Sequence, residues 1–182
     1  MMFPKAYADV AQRMRVPAGF LLLVTFAWLS GPSVFSMLAG VPVALLGLAL
    51  RAWAAGHLAK NQELATSGPF AYVRNPLYLG TLITTAGLVI AAREVWLALI
   101  FGAVFGLVYL PAIELEEQYL RVIFPAYAEY AARVRRFLPL AKWADSEKSF
   151  SWGLYKRNEE YKALAGFLIA MAWLGWKCAW IH

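Results

Sequence analysis

Two polar segments carry the side chains that could bind a charged or aromatic ligand. The first covers residues 68–80 and reads Gly-Pro-Phe-Ala-Tyr-Val-Arg-Asn-Pro-Leu-Tyr-Leu-Gly. Its opening Gly-Pro dipeptide predicts a turn, and Pro76 favours extended backbone at Asn75. Because a chain held this way before a helix exposes amide donors, the segment suits a carboxylate or the edge of a purine. Tyr72 and Tyr78 add aromatic surfaces on which a flat ring can stack.

The second segment begins with carboxylates, which suit a cation, and continues with aromatic and basic side chains as far as Pro139. Its chemistry-bearing residues are Glu114, Glu116, Glu117, Tyr127, Tyr130, Arg133, Arg135 and Arg136. S-adenosylmethionine has a purine, an amino group, a carboxylate and a sulfonium, so both segments together fit it. On this chemistry alone, many other ligands would fit as well.

The composition predicts an all-α, polytopic membrane protein. Of the 182 residues, 62 % are hydrophobic and 15 % are charged, whereas soluble domains are about half apolar and a quarter charged. Charged residues are absent from residues 16–50, 75–92, 95–113 and 163–176. The formal net charge of +6 lies mostly in segments that flank these runs, so membrane topology explains it better than a nucleic-acid partner does. Cys178 is the only cysteine, which excludes an intramolecular disulfide and a thiolate metal cluster.

The apolar runs predict about five transmembrane helices in a single integral membrane domain, residues 1–182. We expect them at residues 17–39, 42–58, 76–92, 95–113 and 161–181, with a tight turn at residues 40–42 and a short hairpin at residues 93–94. Residues 127–138 have the pattern of an interfacial cytoplasmic helix, in which tyrosines and aliphatic residues share a face opposite Glu129, Arg133 and Arg136. Residues 140–160 are polar, and the sequence does not say whether they form a lid.

Basic residues predict the orientation of these helices. They concentrate at the N-terminus and in the segments after the second and fourth helices, which places the N-terminus in the cytoplasm and the C-terminus outside. We expect an integral protein of a prokaryotic inner or cell membrane, with the active site facing the cytoplasm. The hairpin of the third and fourth helices would bring the two polar segments together.

In this order and at this spacing, the two segments resemble the isoprenylcysteine carboxyl methyltransferase and phospholipid methyltransferase family of integral membrane methyltransferases. The pattern is Gly-Pro-(Phe/Tyr)-x-x-x-Arg-(His/Asn)-Pro-x-Tyr-x-Gly, then Glu-Glu, then Tyr-x-x-Tyr-x-x-x-Val-x-Arg-(Phe/Trp)-x-Pro. The resemblance covers residues 51–139, the expected catalytic core. It implies an S-adenosylmethionine-dependent methyltransferase for a lipophilic, isoprenoid or phospholipid-like acceptor that enters from the bilayer, while the cofactor enters from the cytoplasm.

The resemblance also implies the site residues. The cofactor-binding positions would be Tyr72, Val73, Arg74, Asn75, Pro76, Tyr78, Gly80, Glu116 and Glu117. The catalytic positions would be Glu117, Tyr130 and Arg136. Asn75 stands where many members have histidine, and asparagine does not titrate near neutral pH. A mechanism that needs an imidazole base is therefore in doubt here, while contact through the amide survives. No repeated His, Cys or carboxylate spacing predicts a metal site.

Several residues have an alternative interpretation. Tyr72 and Tyr78 could be interfacial anchors, Glu117 could form a solvated i,i+4 ion pair with Arg121, and the arginines at 133–136 could bind lipid phosphates. Two further side chains lie in or near the second helix. Arg51 could act in function, snorkel, or pair with Glu114 or Glu117, and His57 could line the site or mark the interface.

Two other functions remain open on the sequence alone. The Arg-x-Pro-x-Tyr-x-Gly stretch also occurs in NADPH-dependent sterol-reductase-like membrane enzymes, although Thr81 here follows the glycine where those enzymes often have an acidic residue. A non-catalytic, lipid-binding membrane protein could also retain the motif. The sequence identifies neither the methyl acceptor nor the oligomeric state.

Overall fold

The computed structural model describes residues 3–140, 142–143 and 148–181, which form a helical bundle. Its helices are α1 (Lys5–Leu29), α2 (Val34–Ala55), α3 (Pro76–Ala92), α4 (Val95–Val104), α5 (Leu110–Ile123), α6 (Tyr127–Arg133), α7 (Trp152–Arg157) and α8 (Tyr161–Ile181). A 3-10 turn at Gly68–Ala71 precedes α3, and a π-helical segment at Phe105–Tyr109 joins α4 to α5. The described residues form no β-sheet, so the prediction of an all-α protein is confirmed.

Five helical passes cross the bundle, formed by α1, α2, α3, the continuous helix through α4 and α5, and α8. Four of these are long and apolar enough to span a membrane, and the 17-residue α3 is shorter. At one end, Gly31 N donates to Ala92 O at 2.9 Å and Lys177 Nζ donates to Ala27 O and Trp28 O. The chain begins at the opposite end of the bundle. These features confirm a polytopic helical membrane protein.

The turn between the first two helices lies ten residues earlier than expected. α1 ends at Leu29, and a capping box at Ser33, in which the Ser33 and Ser36 side chains bind each other's backbone amides, begins α2. The expected turn at residues 40–42 is therefore wrong, since both Gly40 and Pro42 lie inside α2. Gly40 is small because α3 packs against it, not because the chain turns there.

Small residues form the contact between α2 and α3, and we call this contact the glycine seam. A Cβ on Gly87 would lie 2.3 Å from Ala44 N, and a Cβ on Gly47 would lie 2.4 Å from Thr84 N. Any side chain at these positions would collide with the backbone of the facing helix. Helices in membranes use such small residues for close approach, and the seam fixes the position of the first polar segment, which follows α2 and leads into α3.

A proline shapes the long fourth pass. Pro111 lacks the amide hydrogen that would bind the carbonyl one turn earlier, and the helix before it widens into the π-helical segment. The Leu107 carbonyl instead accepts a hydrogen bond from the Tyr7 hydroxyl of α1 at 2.7 Å. The helix then continues to Ile123, ten residues past the end of the apolar run at residue 113. α1 thus packs along the π-helical segment and α5.

The polar stretch before α8 packs on the end of α2. Ser151 N donates to Gly56 O at 2.9 Å, and Asn158 Nδ2 donates to Ala55 O and Leu58 O at 2.9 and 2.8 Å. These contacts satisfy carbonyls at the C-terminal end of α2. The question of a lid at residues 140–160, which the sequence left open, falls in part on residues 141 and 144–147, which lie outside the described residues.

Candidate active site at the junction of the two polar segments

Backbone pairing joins the two polar segments directly. Val73 and Arg135 form a parallel bridge, Arg74 N donates to Arg135 O at 2.9 Å, and Asn75 N donates to Arg136 O at 3.2 Å. Tyr72 N and Val73 N donate to Pro69 O. The expectation of free amide donors before α3 is therefore wrong at these positions, because the chain itself occupies them.

Side chains from both polar segments bind the Glu117 carboxylate of α5. Its Oε1 atom accepts from Asn75 Nδ2 at 2.9 Å, from Arg74 Nε at 3.2 Å and from Arg136 Nε at 3.2 Å. Its Oε2 atom accepts from Arg136 Nη2 at 2.7 Å and from Arg74 Nη2 at 3.4 Å. Glu117 is only 5 % exposed. We call these four residues the Glu117 cluster.

The Glu117 cluster carries a net positive charge, because two guanidinium groups share one carboxylate. Arg74 is held further by Ala131 O at 2.6 Å and Val134 O at 3.1 Å. The hydrogen bond to Glu117 raises the pKa of Arg136, so Arg136 remains a cation at any physiological pH. Such a preorganised pair of guanidinium groups can bind a carboxylate or phosphate. The alternative pairing of Glu117 with Arg121 does not form, since the Arg121 guanidinium lies 5.5 Å from the centre of the Tyr127 ring.

Tyr127 and Tyr130 of α6 form a buried wall behind the cluster. The Tyr130 hydroxyl donates to Phe70 O at 2.7 Å, which ties α6 to the 3-10 turn before α3. Burial raises the pKa of the Tyr130 hydroxyl above its usual range, so it stays protonated at neutral pH and cannot act as a base there. The Tyr127 hydroxyl is buried without a hydrogen-bond partner among the described residues, which makes it a candidate for a ligand contact.

Tyr78 and Glu116 lie in an aromatic environment and have partners other than the Glu117 cluster. The Tyr78 hydroxyl donates to Glu116 Oε2 at 3.1 Å, and its ring meets Tyr109 edge-on with centroids 6.4 Å apart. The Arg15 guanidinium of α1 lies 5.6 Å from the Tyr78 ring centre and 6.0 Å from that of Tyr109. Phe105 continues the aromatic array between Tyr109 and the second polar segment.

Sequence reasoning missed Arg15 and Tyr109 as members of the site. In the sequence, Arg15 is one of the basic residues that predict the orientation of the first helix in the membrane. Tyr109 lies seven residues before Glu116, which is two helical turns and therefore the same helix face. This spacing could have identified Tyr109, but no local signal links Arg15 to α3.

Four other expected site residues add no side-chain hydrogen bond to the Glu117 cluster. Tyr72 is exposed, with Lys142 Nζ 6.0 Å from its ring centre, Pro76 begins α3, and a Cβ on Gly80 would meet Arg51 Cγ at 2.5 Å. Val73 is buried and contributes through its backbone bridge.

Arg51 and His57 have their own partners. Arg51 pairs with Glu160, with Nε to Oε1 at 2.5 Å, and donates to Thr81 Oγ1, so the alternative pairing with Glu114 or Glu117 does not form. The His57 ring packs against Phe150 and the turn glycine Gly68. Neither residue contacts the Glu117 cluster.

The interfacial helix forms, but it is shorter than expected. Tyr127, Tyr130 and Val134 are buried and Glu129 is exposed, as the pattern predicts. α6 ends at Arg133, so the residues beyond it no longer follow the helical period. Arg136 consequently turns inward to Glu117, and Leu138 is exposed instead of buried.

A groove of about 480 Å³ opens beside the Glu117 cluster. Its walls are Arg74, Ala131, Ala132, Arg135, Arg136, Phe137 and Leu138. Its volume lies in the range of small-molecule sites. A larger hollow, of about 670 Å³, lies at the opposite end of the bundle around Ser33 and Arg93 and contains none of the motif residues. We therefore place the candidate site at the smaller groove. Among the described residues no group of three His, Cys, Asp or Glu could hold a metal ion.

Comparison with known proteins is consistent with a membrane methyltransferase. The chain is 31 % identical over 135 residues to the nickel-cobalt-cadmium resistance protein NccN of Alcaligenes xylosoxydans xylosoxydans, covering 72 % of this chain and 62 % of that protein. It is 33 % identical over 114 residues to the cobalt-zinc-cadmium resistance protein CzcN of Cupriavidus metallidurans, covering 62 % of this chain and 51 % of that protein. The chain thus spans between half and two thirds of the length of these relatives. No solved structure gives a significant match. The family model for phospholipid methyltransferases matches residues 15–127, which include the first polar segment and the carboxylates of the second, and the chain therefore belongs to the phospholipid methyltransferase family.

Proposed function

We propose that this protein is a methyltransferase that uses S-adenosylmethionine to methylate a lipophilic acceptor at the cytoplasmic membrane interface. The observation that carries the proposal is the convergence of both motif segments on Glu117, in a chain of a membrane methyltransferase family. The pairing of residues 73–75 with 135–136 makes one site of two segments that lie far apart in the chain.

The residues present fit the cofactor. The groove beside Arg74 and Arg136 has the size and the cationic wall to take a carboxylate-bearing small molecule. The Tyr127 hydroxyl supplies a buried polar atom whose hydrogen bond no described residue makes. Glu116, together with the Tyr78 ring, offers a carboxylate and an aromatic face to positively charged atoms.

The cofactor, when bound, supplies an already activated methyl group, so the protein needs no covalent intermediate. The task of this chain is to bind, orient and exclude water. Glu117 serves as a positioning residue, because its carboxylate is fully engaged in holding Arg74, Arg136 and Asn75. Asn75 donates to Glu117 through a side-chain amide, which does not titrate near neutral pH.

The acceptor would approach from the bilayer. Leu138, at the edge of the groove, is exposed, and four helices of the bundle are long and apolar enough to span a membrane. The exposed Arg135 at the same edge can reach a headgroup phosphate. These features support a lipid-like acceptor, whose reactive group can be a carboxylate or an amine.

The relatives' names give a second candidate, a membrane protein of metal tolerance that binds its ligands without methyl transfer. Both relatives are named for resistance to metals, and the matches cover 72 % and 62 % of this chain. Binding of Co²⁺ without S-adenosylmethionine binding would favour this candidate.

Calorimetric titration of the detergent-purified protein tests the proposal, with S-adenosylmethionine as ligand and NADPH and Co²⁺ as controls. We expect saturable binding of S-adenosylmethionine alone, followed by transfer of a radiolabelled methyl group into a bacterial lipid extract. Binding of NADPH alone would move the assignment to a reductase. Binding of the cofactor without transfer to any lipid would support a non-catalytic role.

A further inference from the structure

The Arg15 side chain occupies an environment that suits a different kind of cation. Its guanidinium lies over the faces of two tyrosines, 5.6 Å from the ring centre of Tyr78 and 6.0 Å from that of Tyr109. A guanidinium can stack on aromatic faces, and it also presents a planar fork that matches a carboxylate. None of the ion pairs between described residues involves Arg15, so here it is held mainly by aromatic faces.

A carboxylate nevertheless stands at the edge of this aromatic pair. Glu116 Oε2 accepts the Tyr78 hydroxyl at 3.1 Å, and Glu116 forms no ion pair with any described residue. Two aromatic faces with a nearby carboxylate attract a cation that has no hydrogen to donate, such as a methylated sulfonium or ammonium group.

The helices around this pair explain how it is assembled. The π-helical segment turns Tyr109 of the fourth pass toward Tyr78 of α3. The hydrogen bond from Tyr7 to Leu107 O holds α1 against the same segment. Arg15 lies two turns farther along α1, which places its guanidinium beside Tyr78 and Tyr109.

We propose that Tyr78, Tyr109 and Glu116 form a binding site for a methylated onium group, and that Arg15 is its internal occupant when no ligand is bound. The ligand's cation must displace Arg15, whose long side chain can swing to the polar interface without moving α1. Arg15 thus sets the affinity of the site. This inference rests on the proposed function, which provides a sulfonium in the cofactor, and a lipid headgroup could supply the same chemistry as an ammonium.

The test compares the full-length protein with Arg15→Gln, and uses Arg13→Gln as a matched control because Arg13 lies exposed on the same helix. Binding is measured by calorimetry for S-adenosylmethionine, for S-adenosylhomocysteine, which lacks the sulfonium charge, and for benzyltrimethylammonium. We expect Arg15→Gln to bind onium ligands about threefold to tenfold more tightly, with S-adenosylhomocysteine and the control variant unchanged.

A second variant keeps the inference testable if Arg15→Gln folds poorly. Tyr109→Leu retains an apolar side chain but removes one aromatic face, so it should weaken onium binding severalfold and leave S-adenosylhomocysteine unaffected. Tighter binding of S-adenosylmethionine alone would identify the cofactor as the source of the cation, and tighter binding of benzyltrimethylammonium alone would identify a headgroup.

The outcomes also separate this inference from the proposed function. If the wild-type protein binds S-adenosylmethionine and neither variant changes its affinity for either onium ligand, the Arg15 inference is wrong while the proposed function stands. If no form binds S-adenosylmethionine but Arg15→Gln binds benzyltrimethylammonium more tightly, the onium site stands without the proposed cofactor. Weaker onium binding by Arg15→Gln would overturn the inference, because Arg15 would then assist the ligand.

Discussion

The buried Glu117 carboxylate balances two arginines, and its replacement should be costly to stability. Glu117→Gln keeps the size of the side chain but leaves Arg74 and Arg136 without a counter-charge. Breaking a buried ion pair from one side costs about 3–5 kcal/mol. We expect the midpoint of thermal unfolding, followed by tryptophan fluorescence in detergent, to fall by roughly 6–12 °C, taking the lower figure.

Glu129→Gln is the matched control for this prediction. Glu129 also pairs with an arginine, Arg133, at 3.0 Å, but both side chains are more than 60 % exposed. Exposed i,i+4 pairs contribute about 0.3–0.5 kcal/mol, so the midpoint should move by about 2 °C or less. Equal effects of the two substitutions would show that the buried ion pairs of Glu117 stabilise the protein no more than an exposed pair does.

Asn75 tests whether the Glu117 cluster depends on a donor at that position. Asn75→Asp preserves the shape but replaces the donor to Glu117 with a second carboxylate, whereas Asn75→Ala only removes the donor. Because the added carboxylate cancels the net positive charge of the Glu117 cluster, we expect Asn75→Asp to bind S-adenosylmethionine less tightly than Asn75→Ala at pH 8. Calorimetric titration of the two variants checks this, and equal affinities would contradict it.

At the residue scale, the sequence could predict which side chains form the site but not which partners each of them contacts. The order Arg-Asn-Pro-x-Tyr, then Glu-Glu, then Val-x-Arg placed Arg74, Asn75, Glu117 and Arg136 in one region. Consecutive residues of a helix point about 100° apart, so Glu116 and Glu117 must face different neighbours. The sequence could not show which neighbours those are, because they lie on α3, in the segment before it and in the segment after α6.

At the element scale, the glycine seam predicts a sharp difference between glycines of similar helical context. Gly87→Ala would place a Cβ 2.3 Å from the Ala44 backbone, and overpacking of this kind costs about 1–3 kcal/mol. A Cβ added to Gly102 of α4 would have nothing within 4 Å, so Gly102→Ala should be neutral, or stabilising by up to about 1 kcal/mol through helix propensity. Thermal unfolding of the two variants in detergent measures the difference. A loss of stability in both would argue against the seam.

The same seam explains the misplaced turn between α1 and α2. Glycine and proline close together favour a turn in a water-soluble chain, but in a membrane helix glycine serves close packing and proline is tolerated. Gly40 and Pro42 behave as in a membrane helix, because both lie inside α2 and neither ends it. The true break at Ser30–Ser33 carries Gly-Pro as well, and the capping serine Ser33 is the signal that distinguishes it.

At the scale of the whole molecule, apolar run lengths were enough to predict a helical membrane protein, because the bilayer fixes the length of a spanning helix. Contacts outside the two motif segments were beyond prediction. For Arg51 the sequence left open a functional role, snorkelling, or a pair with Glu114 or Glu117, yet Arg51 pairs with Glu160, 109 residues away. Only the return of the chain over the end of α2 brings Glu160 there, and a polar stretch without periodicity gives no sign of where it docks.

The Arg51–Glu160 ion pair joins the start of α8 to the α2–α3 core, and its contribution to stability can be measured. Arg51→Met should destabilise strongly, by about 3–5 kcal/mol, since it leaves the buried Glu160 carboxylate unpaired. The double variant Arg51→Met, Glu160→Leu removes both charges and should recover most of that loss, because apolar replacements of buried ion pairs are often neutral. Thermal unfolding of the single and double variants measures the coupling. If the double variant is as unstable as the sum of the single ones, the two side chains do not interact, and α8 is held to the core by its apolar face alone.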